Sequence, residues 1–388
     1  MTDDERRARL AARHRLAVPA SDPVAAARSV IGLHSSDPST VFLSTRARNP
    51  DVTPGEIEEA LYETRSLLRI LGMRRTMWVT PTDFAPVIDA SSTKALIRPQ
   101  RERTASMIQS SGVSDDGPTW VREVCEATLE SLRKRGEATA RELTADVPRL
   151  STKITIYKKD GSLAGEVGTS TRILFLLATE GLVVRGRPLG SWVSSQYRWA
   201  TTESWLGEPL ESLDEDTARD RLIKTWLLTF GPGTEMDIKW WTGWTATNVR
   251  NALKRVDAVE VALEDGSIGY LHPDDVHETD PASDWVALLP SLDSTTMGWK
   301  ERKWYMGDNA GQLFDRNGNA GPTVWVNGRV IGGWAQNKSG DVVHETFENP
   351  GSACQKRIDD CAAQTRAWIG EIRVTPRFRS PHDKLLSK

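Results

Sequence analysis

The sequence has few cysteines, no long apolar run and no large excess of either charge. Its 388 residues include 3 cysteines, Cys125, Cys354 and Cys361, an odd number in no metal-binding spacing. No stretch approaches the roughly 20 consecutive apolar residues of a membrane helix, and the N-terminus MTDDERRARLAARHRLAV is too charged for a signal peptide. These absences argue against a disulfide-stabilised secreted domain and a membrane protein, and they predict a reduced, cytoplasmic protein.

The net charge of −3 conceals an uneven distribution. Residues 201–300 hold 8 Lys and Arg against 19 Asp and Glu, a balance of −11, whereas 1–110, 111–200 and 301–388 are each weakly basic. A polyanion would therefore meet the weakly basic segments, with the acidic segment facing away. A balance this weak does not by itself indicate a nucleic-acid partner.

The order of predicted elements repeats along the chain. The apolar spacing predicts helices followed by two short strands in residues 1–80, again in 113–200 and in 201–284, with a connecting helix and polar linker over 81–112. This order is typical of the winged helix, a helix-turn-helix variant. From 285 to 388, strands separated by Asn-Gly and Ser-Gly turns precede a helix. The fold class is therefore predicted as α+β: three tandem winged helices, then a small antiparallel β-barrel with a C-terminal helix.

A polar elbow within residues 31–48 concentrates chemical groups between two predicted helices. The first helix is predicted to begin behind Ser21 or Asp22 and to run from Pro23 to about Leu33, and a capping box at Thr53 and Glu56 opens a later helix. Asp37 followed by Pro38 signals the start of the second helix. Immediately before it, His34, Ser35 and Ser36 add an imidazole and two hydroxyls beside a helix N-terminus, which can hold an anion or polarise a water. Local chemistry alone favours an ordinary helix cap and a structural histidine, so a functional interpretation depends on the rest of the chain.

Residues 285–335 resemble the C-terminal region of the winged-helix DNA glycosylases typified by AlkZ and YcaQ. The resemblance is carried by Leu288-Leu289-Pro290, by Leu292-Asp293, and by the run from Gly318 to Trp334, GNAGPTVWVNGRVIGGW. It extends to Gly32-Leu33-His34 and to residues 231–244. The fold of that family, three tandem winged helices plus a β-barrel, agrees with the predicted order of elements.

The resemblance implies a monofunctional glycosylase that releases N7- or N3-alkylated purines from DNA and unhooks interstrand crosslinks. The family's Q-Φ-Q or Q-Φ-D motif, which positions the attacking water, falls on His34-Ser35-Ser36. Histidine thus replaces the first glutamine, and serine replaces the second glutamine or the aspartate. The resemblance points to His34 and Ser36 as catalytic residues. Asp37, which follows immediately, is the third catalytic candidate, because a carboxylate can supply negative charge or accept a proton. His34 is expected to have a pKa near neutrality and to accept a proton from water in its neutral form.

The expected partner is double-stranded DNA with alkylated bases, bound by a monomer at the nucleoid without a cofactor, metal or membrane. Two alternatives stay open: a catalytically silent DNA-binding protein of the same fold, acting as lesion sensor or transcriptional regulator, and an interaction scaffold without a DNA role. Side chains at helix ends, wings and family-like segments are the candidates for DNA contact: Arg46, Arg48, Arg74, Arg75, Arg185, Arg187, Asp293, Arg316 and Asn317.

Overall fold

Helices and small antiparallel sheets alternate in a computed structural model that describes residues 1–157, 160, 162–282 and 284–388. The protein is a mixed α/β structure in which three helical units, each with its own small sheet, precede a four-stranded antiparallel sheet. Within the described ranges, no helix has both the length and the apolar character needed to cross a bilayer.

The first unit begins its helices where the sequence predicts. The Asp22 carboxylate accepts the N–H of Ala25, ahead of Pro23, and Thr53 and Glu56 form a complete capping box. The helix after Asp22 ends earlier than predicted, because residues 33–34 leave it to form a strand. The elements are α1 (Asp3–Arg13), α2 (Pro23–Arg28), β1 (Leu33–His34), α3 (Pro38–Arg48), α4 (Pro54–Glu58), β2 (Leu67–Leu71) and β3 (Met77–Pro81).

The connecting segment and the second unit follow without a break. The connecting helices are α5 (Ala85–Ile88) and α6 (Ile97–Ser110). The second unit adds one hairpin, β5–β6, that the sequence pattern did not predict. Its elements are α7 (Gly117–Arg135), β4 (Glu137–Thr139), α8 (Ala140–Asp146), β5 (Lys153–Tyr157), β6 (Leu163–Gly168), α9 (Thr169–Thr179), β7 (Val183–Pro188), β8 (Tyr197–Thr201) and α10 (Thr202–Leu206).

The third unit repeats the arrangement of the first two. Its elements are α11 (Glu215–Phe230), α12 (Glu235–Thr242), α13 (Ala246–Arg255), β9 (Val259–Ala262) and β10 (Ile268–Leu271). Between its first two helices Gly233 pairs with Tyr270 in β10. In the same way β1 pairs with β3 and β4 with β8. In every unit, therefore, a short segment preceding a helix pairs with the second strand of the hairpin.

The C-terminal strands form an open sheet where the sequence predicted a barrel. They pair in the order β11-β12-β13-β14, and no pairing joins β14 to β11 in the described residues. Four strands are too few to enclose a side-chain-filled interior, so helices cover the sheet instead, with α16 packing on β11 and β14 and α17 on β13. The elements are β11 (Val286–Leu289), α14 (Lys303–Met306), α15 (Ala310–Leu313), β12 (Thr323–Val326), β13 (Arg329–Gln336), β14 (Val342–Thr346), α16 (Ser352–Ile369) and α17 (Pro381–Leu386).

Candidate active site

The elbow is held in place by the hairpin of the first unit. In the β1–β3 pair His34 lies opposite Trp78, and the Ser35 N–H donates to the Met77 carbonyl at 2.7 Å. Gly32 permits this approach, because a Cβ at that position would lie 3.1 Å from a carbonyl oxygen of β3. Backbone pairing thus fixes which way successive elbow side chains point.

Neighbouring elbow side chains have different surroundings. Ser35 is buried, and its Oγ accepts a hydrogen bond from Arg69 Nε at 2.8 Å. Arg69 is also buried and donates to the Tyr62 hydroxyl at 3.3 Å. His34 and Ser36, on either side of Ser35, line an open cleft. These two residues are therefore the elbow side chains that a ligand in this cleft can meet.

Asp37 is the helix cap of α3, and its side chain is not among those that line this cleft. Its Oδ1 accepts the N–H of Ser39 at 3.0 Å and the Ser39 hydroxyl at 2.7 Å. Its Oδ2 accepts the N–H of Arg377 at 2.8 Å, which ties the C-terminal segment to the elbow. The side chain is 4% exposed. The structure therefore shows Asp37 as a helix cap and does not place its carboxylate beside His34 and Ser36 on the cleft wall, where a catalytic role was expected.

His34 is a neutral side chain with one preferred tautomer. The ring is 3% exposed and lies 5.1 Å from the Trp78 ring. The Ser36 N–H donates to His34 Nδ1 at 3.4 Å, which leaves the ring hydrogen on Nε2. Burial, reinforced by the charge of Arg74, lowers the pKa of His34 to about 3. The expectation of a pKa near neutrality is therefore wrong: in this tautomer His34 presents an N–H donor.

The cleft beside His34 and Ser36 has a volume of about 1200 Å³ and lies among the first unit, the third unit and the C-terminal region. Its carboxylates are few: Asp315 accepts the N–H groups of Asn317 and Asn319 within its own turn, and Glu301 lines the wall. Cations are more numerous along the same wall: Arg74, Lys300, Arg302, Lys303 and Arg316. The cleft therefore suits a negatively charged partner.

A second groove, of about 590 Å³, lies on the other side of the elbow against the second unit. Ser36 lines both spaces, and Arg377, whose Nη1 donates to the Ser36 carbonyl at 3.4 Å, borders the second groove. Arg185 faces this groove and lies 5.4 Å from the Tyr197 ring centroid. Burial lowers the pKa of Arg185 to about 10, a value that still leaves it cationic at neutral pH.

Several side chains expected at the DNA surface are structural instead. Arg48 and Asp293 are both 0% exposed and form an ion pair at 2.8 Å, so neither can reach a phosphate. Arg46 is buried beside Cys361 in a separate cavity of about 290 Å³. Arg187 is held by the carboxylates of two acidic residues in the first unit, Glu58 and Glu63. Contacts between units pair or bury these charges. A pattern in a single sequence does not indicate such contacts.

The remaining candidates lie at the surface or in the two grooves. Arg74 and Arg75 occupy the tight turn between β2 and β3, where both adopt positive φ angles of 53° and 60°. Arg75 is exposed, and Arg74 lines the cleft. Arg316 and Asn317 are exposed in the turn before β12 and line the same cleft. The structure thus brings Arg74, Arg316 and Asn317 together with His34 and Ser36.

Comparison with known proteins identifies the family. The family profile described as DNA glycosylase AlkZ-like matches residues 27–368, which include the elbow and most of the cleft wall. The chain belongs to the AlkZ-like DNA glycosylase family. Among solved structures, the Streptomyces sahachiroi DNA glycosylase AlkZ is similar in fold, with a TM-score of 0.72 and 19% sequence identity over 95% of this chain and 97% of that chain. No curated protein matches the sequence.

Several residues that line the cleft were missed by the sequence analysis. Trp240 lines the cleft, whereas its neighbour Trp241 is fully buried. Arg302 and Glu301 lie in the segment before α14 that no motif marks. Arg377 belongs to the basic C-terminal stretch RVTPRFRSP, whose charge was the available signal. These residues come together only through packing between units.

Proposed function

We propose that this AlkZ-like chain is a monofunctional DNA glycosylase that excises N7- or N3-alkylated purines from duplex DNA. The observation that carries the proposal is the placement of His34 and Ser36 side by side on the wall of a cation-rich cleft. The alkylated base bears a formal positive charge, so its glycosidic bond is already weak. The enzyme then needs to hold a water and a sugar in the right geometry rather than supply a strong nucleophile.

The proposed reaction is a hydrolysis at C1′ of the damaged nucleotide. The C1′–N bond breaks, and its electron pair moves to the base, which leaves as a neutral molecule. The oxygen of a water forms the new bond to the oxocarbenium-like C1′, and the water's proton passes to solvent. No electrons are exchanged, and no metal is required. Among the described residues, no group of three or more His, Cys, Asp or Glu side chains could hold a metal ion.

His34 and Ser36 hold the water in this proposal. The His34 Nε2–H donates to the water oxygen, and the Ser36 hydroxyl accepts one of the water's hydrogens. The hydrogen bond from the Ser36 N–H and the contact with Trp78 fix the imidazole before the substrate arrives. A neutral imidazole also avoids repelling the cationic sugar of the transition state. Asp37 contributes by fixing the start of α3.

DNA binding in this proposal uses the cations of the cleft and of the second groove. We propose that the three helical units are winged helices, because each has a short segment that pairs with the second strand of its hairpin. Arg74, Arg75 and Arg316 then contact phosphates on one side of the elbow, and Arg185 and Arg377 on the other. A monomer suffices, since the elbow and both grooves belong to one chain.

Crosslink unhooking is a finer proposal that rests on the two grooves being neighbours on either side of the elbow. Ser36 lines both of them, so a base in the cleft can remain tethered to a second base that occupies the neighbouring groove. Excision of one crosslinked purine would then proceed by the same attack at C1′.

A catalytically silent DNA-binding protein is the second candidate. The observation that favours it is the loss of the Asp37 carboxylate to helix capping, together with serine at the last position of the family motif. Such a protein would bind alkylated duplex without releasing a base.

The experiment that separates the two candidates is incubation of the full chain with a duplex that contains one N7-methylguanine. Released base is measured by chromatography, and the abasic site by strand scission in alkali. A duplex with unmodified guanine is the control. The proposal predicts free 7-methylguanine and scission at the lesion. Binding of the duplex without base release supports the silent protein instead.

A further inference from the structure

Arg74 and Arg302 share one aromatic surface in the cleft. The Cζ atom of Arg74 lies 4.1 Å from the ring centroid of Trp240, and the Cζ atom of Arg302 lies 5.3 Å from the same centroid. Arg302 also contacts the Phe314 ring at 4.3 Å. Both residues line the wall that contains His34. Two guanidinium groups thus contact the same indole ring on the cleft wall beside the elbow.

Both guanidinium groups are held by their surroundings before any ligand binds. The stem of Arg74 packs on Gly243, where an added Cβ would lie 3.3 Å from Arg74 Cγ. The segment that carries Arg302 is fixed by the buried Asp237, whose Oδ1 accepts the N–H groups of Lys300 and Glu301 at 2.8 Å. Little side-chain entropy remains to be lost when an anion binds.

No acidic partner balances these two cations. In the described part of the chain neither guanidinium forms an ion pair with a carboxylate; Arg302 donates to the Trp299 carbonyl, and Arg74 Nε is buried without a partner. Burial, together with repulsion from Arg302, lowers the pKa of Arg74 to about 10, so the group remains charged at neutral pH. Paired, partly desolvated guanidinium groups are typical of sites that bind phosphate through several N–H donors.

We infer that Arg74 and Arg302, packed on Trp240, bind the single backbone phosphate that flanks the damaged nucleotide. This inference rests on the proposed glycosylase function and extends it in two ways. The phosphate anchors the backbone so that the sugar faces His34 and Ser36. Its charge also offsets two cations that would otherwise repel a cationic alkylpurine next to the elbow. Arg74 and Arg302 are positioning residues here, and they do not touch the reacting atoms.

The test combines protein variants with a duplex in which one phosphate is made neutral. A methylphosphonate is placed at either phosphate flanking N7-methylguanine, for single-turnover excision, or flanking a tetrahydrofuran abasic analogue, for affinity. The proteins are the wild type, the double variant Arg74→Ala/Arg302→Ala, and the control Arg98→Ala/Arg122→Ala. The control removes two exposed cations that lie outside the cleft. Circular dichroism melts confirm that every variant is folded.

We expect one of the two methylphosphonate positions to lower both rate and affinity by about tenfold or more in the wild type and the control, the scale of one charge-assisted contact. A methylphosphonate at the same position should change the excision rate and the affinity of the double variant by less than about twofold. Equal losses in the double variant and the wild type would overturn the inference, as would insensitivity at both positions. If no base is released at all, the proposed function fails, and the affinity data still decide the phosphate site.

Discussion

Arg48 and Asp293, 245 residues apart in the chain, form an ion pair with no solvent exposure and two hydrogen bonds of 2.8 and 2.9 Å. Ser44 donates its hydroxyl to the same carboxylate, and Arg48 donates to Thr295. The pair fixes the C-terminal end of α3 to the loop after β11, while Asp37 fixes the N-terminal end. The elbow therefore stands on a helix that is anchored at both ends.

Removal of Arg48 should destabilise the whole protein. In Arg48→Ala the carboxylate of Asp293 stays buried without its cation, and breaking such a pair typically costs about 3–5 kcal/mol in the free energy of unfolding. Urea denaturation of the variant and the wild type measures the difference. Arg98→Ala, an exposed change in α6, is the control and should stay within about 0.5 kcal/mol. A similarly small loss for Arg48→Ala would show that the pair does not anchor α3.

Substitutions of Asp37 distinguish a cap from a catalytic base. Asp37→Asn keeps a side-chain oxygen that can accept the Ser39 N–H, so excision should stay within about tenfold of the wild type. Asp37→Ala loses the cap and should cost about 1–2 kcal/mol of stability. Single-turnover excision rates and urea denaturation measure the two effects. A loss of roughly 10²-fold or more in folded Asp37→Asn would identify a base and contradict the positioning role.

Because burial and Arg74 lower the pKa of His34 to about 3, the protein should become less stable as pH falls. The unfolded chain protonates His34 near pH 6.5 whereas the folded chain does not. The stabilising contribution is therefore complete above that pH and is lost as pH falls toward 3. Relative to His34→Gln, the free energy of unfolding of the wild type should fall by about 1.4 kcal/mol for each pH unit between pH 6 and 4. Urea denaturation at pH 7, 6 and 5 tests this; identical pH dependence in both proteins refutes a buried neutral imidazole.

Salt dependence reports which cations meet the phosphates. About five contacts from both sides of the elbow predict a log–log slope of roughly −4 to −5 for duplex affinity. Arg316→Ala should reduce the magnitude of this slope by about one, because Arg316 is exposed on the cleft wall. Arg187→Ala should leave the slope unchanged, since Glu58 and Glu63 already hold that guanidinium. Fluorescence anisotropy at four salt concentrations measures all three proteins. Equal slopes for the wild type and Arg316→Ala would exclude a phosphate contact there.

Local sequence signals predicted the elements that depend on local chemistry. The cap at Asp37, the cap at Asp22 and the box at Thr53 are all present, because each needs only residues within one turn of a helix. The two-residue strand at His34 was missed, since it exists only through pairing with β3. The barrel was predicted from strand and turn patterns that do not reveal whether the sheet edges meet.

The candidate site was predicted only in part, for the same physical reason. The elbow followed from local helix signals and its expected role from the family resemblance, but the protonation of His34 depends on burial that surrounding units impose. Arg302 meets Arg74 on Trp240 because Asp237 holds a segment 63 residues further along the chain. Arg48 was expected to contact DNA, but it pairs with Asp293, which lies far away in the sequence.

The central claim is that His34 carries base excision at the elbow. The most direct measurement is the single-turnover release of 7-methylguanine from duplex DNA by the wild type, His34→Ala and His34→Gln, with duplex affinity measured in parallel. We expect a rate loss of roughly 10²-fold or more for His34→Ala, the scale of removing one preorganised hydrogen-bond donor, a smaller loss for His34→Gln, which keeps a donor, and nearly unchanged affinity for both. Wild-type rates in a folded His34→Ala, or no release by the wild type from any alkylated duplex that it binds, would contradict the account.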